Sequence, residues 1–361
     1  MSQDFDTIAR ILADLPGPDE VARLAAFERD RILTKPPGSL GRLEEIAAWV
    51  AAWQGRGSPR ISKPAVCIFA GNHGVTRQEV SPYPSEVTAQ MVANFAAGGA
   101  AINQLCGVHG IELAVHGLEL DAPTGDITEG SALSEPECVS AIEAGMAAVP
   151  EGCDLLGLGE MGIGNTTIAA VIYASLFGGA PGHFVGRGTG ASDAMLQRKA
   201  DVVRLAIALH RPYLDDPLEL LRRVGGREIA ALFGALLAAR IKHIPVVLDG
   251  YVVTSAAAVL HRANPIGLQH CIAGHVSSEG AHADVLHRLG LKPLLSLGLR
   301  LGEASGAALA MGIVMAAVRC HSGMASFTEA GVTDGEPTTA DNTPSGGPEN
   351  IVPLVVEARA R

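Results

Sequence analysis

The stretch Gly157-Leu158-Gly159-Glu160-Met161-Gly162-Ile163-Gly164-Asn165-Thr166-Thr167 follows the apolar lead-in Asp154-Leu155-Leu156 and runs into an Ala/Ile-rich segment, Ile168 to Phe177. This order reads as strand, glycine-rich turn, helix. Such a turn delivers successive backbone N–H groups to the positive end of a helix, which makes a phosphate cradle. Asn165, Thr166 and Thr167 add side-chain groups where a helix would be capped. The stretch also matches G-x-G-x-x-G, the dinucleotide fingerprint. That fingerprint needs an acidic residue about 20 positions on for the ribose hydroxyls, and no Asp or Glu falls between Glu160 and Asp193. A tight turn with no ligand is the plainer alternative, but four glycines followed by Asn-Thr-Thr exceed what a turn needs.

Working outward, the same alternation recurs. Short apolar runs at Ala65–Ala70, Glu112–Val115, Asp154–Leu158, Pro245–Leu248 and Cys271–Ala273 are each followed by Gly, Asn, His or Asp and then by a helical pattern. Repeated strand–helix alternation predicts an α/β fold with a parallel sheet covered on both faces. Ligands in such sheets lie beyond the C-terminal strand ends. There the unusual residues collect: Gly71-Asn72-His73-Gly74, Gly159-Glu160, Asp249-Gly250-Tyr251 and Gly274-His275. Ahead of the first strand, Phe5–Leu15, Glu20–Leu33 and Leu43–Trp53 read as helices, and Thr328 to Pro348 reads as a surface loop or mobile tail.

At 361 residues the chain can bury a large core. Apolar residues make up 48% and aromatics only 4%, so that core is built from Ala, Leu, Val and Ile. A net charge of −11 argues against nucleic acid or an anionic membrane as partner. An anionic small ligand would then be held by local cations and backbone amides. The N-terminus lacks the basic and apolar regions of an export signal, and the uncharged run Ala304 to Val318 reads as too short and too rich in Gly and Ser to span a bilayer. Six scattered cysteines without a C-x-x-C pair fit buried free thiols in a reducing, cytoplasmic compartment.

Several residues are candidates for chemistry. Glu303 is the only acid between Asp284 and Glu329, and a small-residue apolar helix follows it. In a first helical turn the macrodipole would lower its pKa, whereas burial would raise it toward the range of a general base; a carboxylate merely satisfying helix N–H groups fits the spacing equally. Lys199 stands in a helical pattern that also fits a solvated charged face, and Arg187 in Gly186-Arg187-Gly188 is the other candidate anion-holding cation. His275 and His282 are seven apart with no third ligand evident, so no metal site is expected. His73 after a strand end reads either as a site residue or as a hydrogen-bonded core histidine.

Seven segments in order over roughly residues 35 to 320 give the chain a resemblance to the nicotinate-nucleotide–dimethylbenzimidazole phosphoribosyltransferase family of cobalamin nucleotide-loop assembly. They are Lys35–Glu44 (KPPGSLGRLE), Gly71–Val75 (GNHGV), Glu86–Asn103, the Gly157–Thr167 stretch, the Lys199 helix, Leu248–Ala257 (LDGYVVTSAA) and Leu297–Ala310 (LGLRLGEASGAALA). The resemblance implies a Rossmann-like parallel sheet flanked by helices, with a smaller helical domain, in a homodimer. Residues 1–60 would contribute to the small domain, 61–325 would form the core, and 326–361 a loop-rich tail. It implies transfer of 5-phosphoribosyl from nicotinate mononucleotide to 5,6-dimethylbenzimidazole, with no cofactor. The catalytic base matches Glu303, the phosphate-site glycines match Gly162 and Gly164, and Glu160 and Lys199 match further active-site positions. Asn165, Thr166 and Asp249 accompany them as substrate-binding positions, and Tyr83 and Met91 fall where the base pocket is expected. Some members carry a serine and a glutamine near those last two positions, so the preferred base is left open. Two rival readings are an NAD-linked oxidoreductase, motivated by the glycine pattern, and a binding protein for a purine-like base without turnover.

Overall fold

A computed structural model describes residues 4–188 and 190–333. The remainder of the tail expected from Thr328 to Pro348 lies outside the described residues. Three helices come first, α1 (Phe5–Ala13), α2 (Glu20–Arg31) and α3 (Arg42–Gln54). Asp4 and Asp19 start the first two by accepting the N–H groups of Thr7 and Ala22.

Five parallel strands follow, β1 (Pro64–Ala70), β2 (Glu112–Gly117), β3 (Leu155–Met161), β4 (Val246–Leu248) and β5 (Cys271–Ala273), in the spatial order β2-β1-β3-β4-β5. The expected strands are all present, with β3 running three residues past Leu158. The order is that of a doubly wound sheet whose direction of growth reverses between β1 and β3, the place where such sheets open a crevice.

Two-residue periodicity sorts the side chains onto two faces. Cys67, Phe69, Leu156, Leu158 and Leu248 point into one core, with helices α6 (Glu135–Ala148), α7 (Asn165–Phe177), α10 (Arg227–Ile241) and α11 (Tyr251–Ala263). Val66, Ile68, Leu155 and Val247 point into the other, with α4 (Glu86–Ala96), α5 (Ala101–His109), α3 and α13 (Ser305–Gly323). The helices α8 (Asp193–His210), α9 (Pro217–Val224), α12 (His282–Arg288) and α14 (Phe327–Ala330) are the remaining α-helices among the described residues.

The glycine pattern of the deciding stretch divides here into two jobs. Gly157 and Gly159 lie within β3, on the face that α13 covers. A Cβ on Gly157 would sit 2.7 Å from Met311 Sδ, and one on Gly159 would sit 2.5 Å from the Ala304 nitrogen. These two glycines let a helix lie directly on the sheet, so only Gly162 and Gly164 belong to the turn. The dinucleotide reading fails on geometry: five of the six fingerprint positions, Gly157 to Met161, are strand.

Helix α13 also corrects the reading of the uncharged run. It extends for 19 residues and is, by length and composition, long and apolar enough to cross a membrane. In the fold it is a core helix, with Ala307, Ala310, Met311 and Val314 wholly buried against β3, β4 and α3. All six cysteines are free thiols, and five are buried.

Candidate active site

A cleft opens at the C-terminal ends of β3, β4 and β5. Its walls carry Ser81 and Pro82 from the segment after β1, Glu160 to Thr166, Arg187, Lys199, Gly250 to Val252, His275, Ser277, Glu279 and Arg300 to Gly302.

The turn between β3 and α7 forms the floor. Gly164 adopts φ +93° at the N-cap of α7, and no side chain caps that helix. The Gly164 and Thr166 N–H groups have no acceptor among the described residues, because neighbouring amides take Gly162 and Gly164 carbonyls instead. Lys199 reaches the same place from α8. Its ammonium donates to Thr166 Oγ1 at 3.1 Å and to the Gly186 carbonyl at 3.3 Å. The solvated face that its spacing fits is not realised, since Lys199 is only 4% exposed. Burial lowers its pKa, with Glu279 acting in the opposite direction. Arg187, the other cation, is spread over the Ala191 carbonyl and Asp193.

Asn165 departs from the expected capping role. It is the first residue of α7, and its side-chain amide donates to Glu160 Oε2. Thr167 likewise does not cap, and its hydroxyl is buried without a partner. Glu160 is pushed up to about 8, first by burial and then by the charges of Asp249, Glu228 and Glu303, with the Asn165 hydrogen bond opposing.

Glu303 is likewise not a first-turn carboxylate. Gly302, Glu303 and Ala304 take φ of +83°, +60° and +61°, and the helix begins only at Ser305. Two consecutive left-handed residues other than glycine store about 1–3 kcal/mol each, a pattern that clusters at functional sites. The turn is held because Asp249 Oδ1 accepts the Gly306 and Ala307 N–H groups at 2.8 and 3.0 Å. Asp249 is therefore the N-terminal anchor of α13 and is buried away from the cleft lining. No described residue donates a hydrogen bond to Glu303, so its carboxyl is unengaged. Burial first, and then Asp249, push it up to about 7.

Tyr83 and Met91 do not line the cleft. Tyr83 is half-exposed, and Met91 packs on the edge of the second core. Pro82, Met161 and Leu301 supply apolar walls in their place.

The histidines separate clearly. His282 Nδ1 accepts the Ser277 N–H at 2.8 Å, so Nε2 carries the hydrogen and donates to Thr254 Oγ1 at 3.0 Å. Both nitrogens are committed, and burial holds this ring down at about 3. His73 meets Glu228 at 2.6 Å beneath Gly162, both fully buried. His275 lines the cleft.

The residues that sequence reasoning passed over are Glu228, Glu279 and Arg300. Glu228 is the one acid of α10, and Glu279 lies between the two histidines; an acid in such company is the available signal.

A buried carboxyl raised toward neutrality, a glycine turn with free amides beside a buried cation, and apolar walls near them are what moving a phosphorylated sugar onto a flat acceptor would require. The phosphoribosyltransferase family's sequence profile matches residues 15–332, and the chain belongs to that family. It is similar to the nicotinate-nucleotide–dimethylbenzimidazole phosphoribosyltransferase of Sinorhizobium medicae (strain WSM419), 60% identical over 91% of this chain and 97% of the relative. The enzyme of that name from Rhizobium meliloti (strain 1021) is also 60% identical, over 92% of this chain and 98% of its own. Among solved structures, CobT from Thermus thermophilus superposes with a TM-score of 0.81 at 41% identity, covering 87% of this chain and all of that one.

Proposed function

We propose that the protein transfers 5-phosphoribosyl from nicotinate mononucleotide to 5,6-dimethylbenzimidazole, giving α-ribazole 5′-phosphate and nicotinate. The observation that carries this reading is Glu303: an unengaged carboxyl in a strained left-handed turn, raised to about 7, directly after the cleft-lining Gly302 and near enough to Glu160 to act on its charge. The relatives' names state the same donor and acceptor.

In the mechanism, the 5′-phosphate rests on the α7 N-terminus with Lys199, which fixes the sugar and contributes orientation. The acceptor ring lies against Met161, Leu301 and Pro82, where an apolar wall suits a flat heterocycle. One ring nitrogen attacks the anomeric carbon from the face opposite the leaving pyridinium. The old C–N bond breaks with its electron pair returning to the pyridine nitrogen, and nicotinate departs neutral at that atom. As the new bond forms, the acceptor's other N–H becomes acidic and passes its proton to Glu303. Glu160, held protonated near neutral pH, donates a hydrogen bond into the cleft without adding a second negative charge.

The finer readings are proposals on the family resemblance: a homodimer, a cytoplasmic location, and a division into a small helical domain within 1–60 and a core over 61–325. The packing of α3 on both α2 and α13 supports the small-domain reading.

The test is a chromatographic assay with nicotinate mononucleotide and 5,6-dimethylbenzimidazole, run with wild type and Glu303→Gln. Nicotinate release matched by an α-riboside phosphate, and lost in the variant, is the expected outcome. Product with adenine or a phenol only would move the acceptor, and no product with any acceptor despite donor binding would leave a binding protein.

A further inference from the structure

The cleft holds a second uncapped helix N-terminus. Helix α11 starts at Gly250 with no side-chain cap, and among the described residues no acceptor takes the N–H groups of Gly250, Tyr251 or Val252, all of which line the cleft. Asp249, immediately before, is the obvious candidate to cap it. Instead its Oδ1 serves α13, through Gly306 and Ala307. The α11 N-terminus is therefore left with its partial positive charge facing the cavity.

An independent observation points to a ligand at this place. His275 lines the cleft, is 2% exposed, and has no hydrogen-bond partner on either ring nitrogen. Its ring is clamped by close approach on two sides: a Cβ on Gly250 would lie 3.1 Å from Nε2, and one on Gly306 would lie 2.0 Å from Cδ2. Asp249 Oδ1 is 3.5 Å from Nε2, but that oxygen is already engaged by two backbone amides. A buried imidazole with an unused N–H costs free energy unless something enters to accept it. The ring always carries at least one N–H, so it is a donor in either protonation state. Arg300, Lys199 and Arg187 line the same cleft, while the carboxyls there are Glu160, bound by Asn165, and Glu279, which faces Lys199 and accepts the Gly188 N–H.

We infer that the N-terminus of α11 and His275 form a second oxyanion subsite, distinct from the α7 turn. It receives the second anionic group of the donor. The inference rests on the proposed donor, nicotinate mononucleotide, which carries a phosphate at one end and a ring carboxylate at the other. With the phosphate on the α7 turn and Lys199, the α11 subsite takes the carboxylate, and His275 becomes the residue that separates nicotinate from nicotinamide nucleotides.

Calorimetric binding of three ligands tests this without requiring turnover: nicotinate mononucleotide, nicotinamide mononucleotide, which lacks the carboxylate, and nicotinate riboside, which lacks the phosphate. His275→Ala is expected to weaken the first and third by about ten- to a hundredfold, the worth of a hydrogen bond to a charged group, and to leave the second unchanged. His275→Gln, which restores a donor, should recover part of the loss. Equal weakening of both mononucleotides with the riboside untouched would keep the subsite and overturn the carboxylate assignment. Wild-type binding of all three ligands by folded His275→Ala would overturn the subsite. Should His275→Ala not fold, wild type alone decides: nicotinate and nicotinamide raising its Tm equally would refute discrimination here, and nicotinate alone raising it would support the inference. A wild type that shows these preferences yet releases no nicotinate would defeat the proposed reaction and not the subsite.

Discussion

Asn165 donates its side-chain amide to Glu160 across the turn that joins β3 to α7, so the residue that opens the helix also fixes a carboxyl at the end of the strand. The hydrogen bond favours the charged form, yet burial and three neighbouring carboxyls outweigh it and hold Glu160 at about 8. A carboxyl raised this far above its ordinary value of 4.5 contributes stability that is intact below that value and is lost as pH climbs through about 8. Thermal denaturation of wild type should therefore show a falling Tm between about pH 5 and 9. Glu160→Gln, neutral throughout, should flatten that decline. A wild-type curve as flat as the variant's would show that Glu160 is ionised in the folded protein at neutral pH.

Glu303 and Glu160 should also shape the rate. Glu303 must be ionised to accept a proton and is held at about 7, while a protonated Glu160 titrates at about 8. The plot of kcat/KM against pH should rise through the first value and fall through the second, as macroscopic values of an interacting pair. Glu160→Gln should remove the descending limb and leave the ascending one in place, because the group it replaces is already neutral there. A descending limb that persists in the variant would assign it elsewhere.

Replacing the proposed base, Glu303, should give the largest kinetic effect. Glu303→Gln keeps the shape and the left-handed turn but cannot take a proton, and should lower kcat by about 10²–10⁴-fold. The KM for nicotinate mononucleotide should stay within a few-fold, since the proposed mechanism assigns the phosphate to the α7 turn and Lys199. Steady-state kinetics under both substrates separates the two parameters; a rise in KM with kcat preserved would make Glu303 a binding residue.

How much of this was legible in the sequence depended on how local each cause is. The five strands were readable because their apolar runs are set by the sheet's own burial, and β5 was placed to the residue, Cys271–Ala273. The sequence reading ends the strand at Leu158 and puts Gly159 past it, because the reason for both strand glycines, α13 lying on β3, comes from some 150 positions downstream. A similar separation hid the burial of Lys199, whose helix looks solvated until Thr166 and the Gly186 carbonyl close on it. Glu303 was found by its isolation in the sequence. Its left-handed backbone was not, because the anchor that holds it is Asp249, just past another strand. Glu228 was missed for the same kind of reason: only packing brings it under Gly162, against His73.

A methyl group on Gly159 and the loss of the Lys199 charge should have opposite effects on stability. Gly159→Ala forces a Cβ into the Ala304 backbone 2.5 Å away, with the strained Glu303 turn directly attached. Overpacking of this kind costs about 1–3 kcal/mol, so Tm should drop, and kcat should fall with it as Glu303 is displaced. Lys199→Met is the contrasting change. It removes a cation from a buried position where charge is unfavourable, so Tm should hold or rise, while affinity for the nucleotide should fall by about ten- to a hundredfold, as expected for a charged hydrogen bond. Measuring Tm and donor affinity on both variants therefore distinguishes packing from binding at one site. A Lys199→Met protein that keeps wild-type affinity would place the phosphate away from the α7 turn, and the α11 N-terminus with His275 would then be the cradle that receives it.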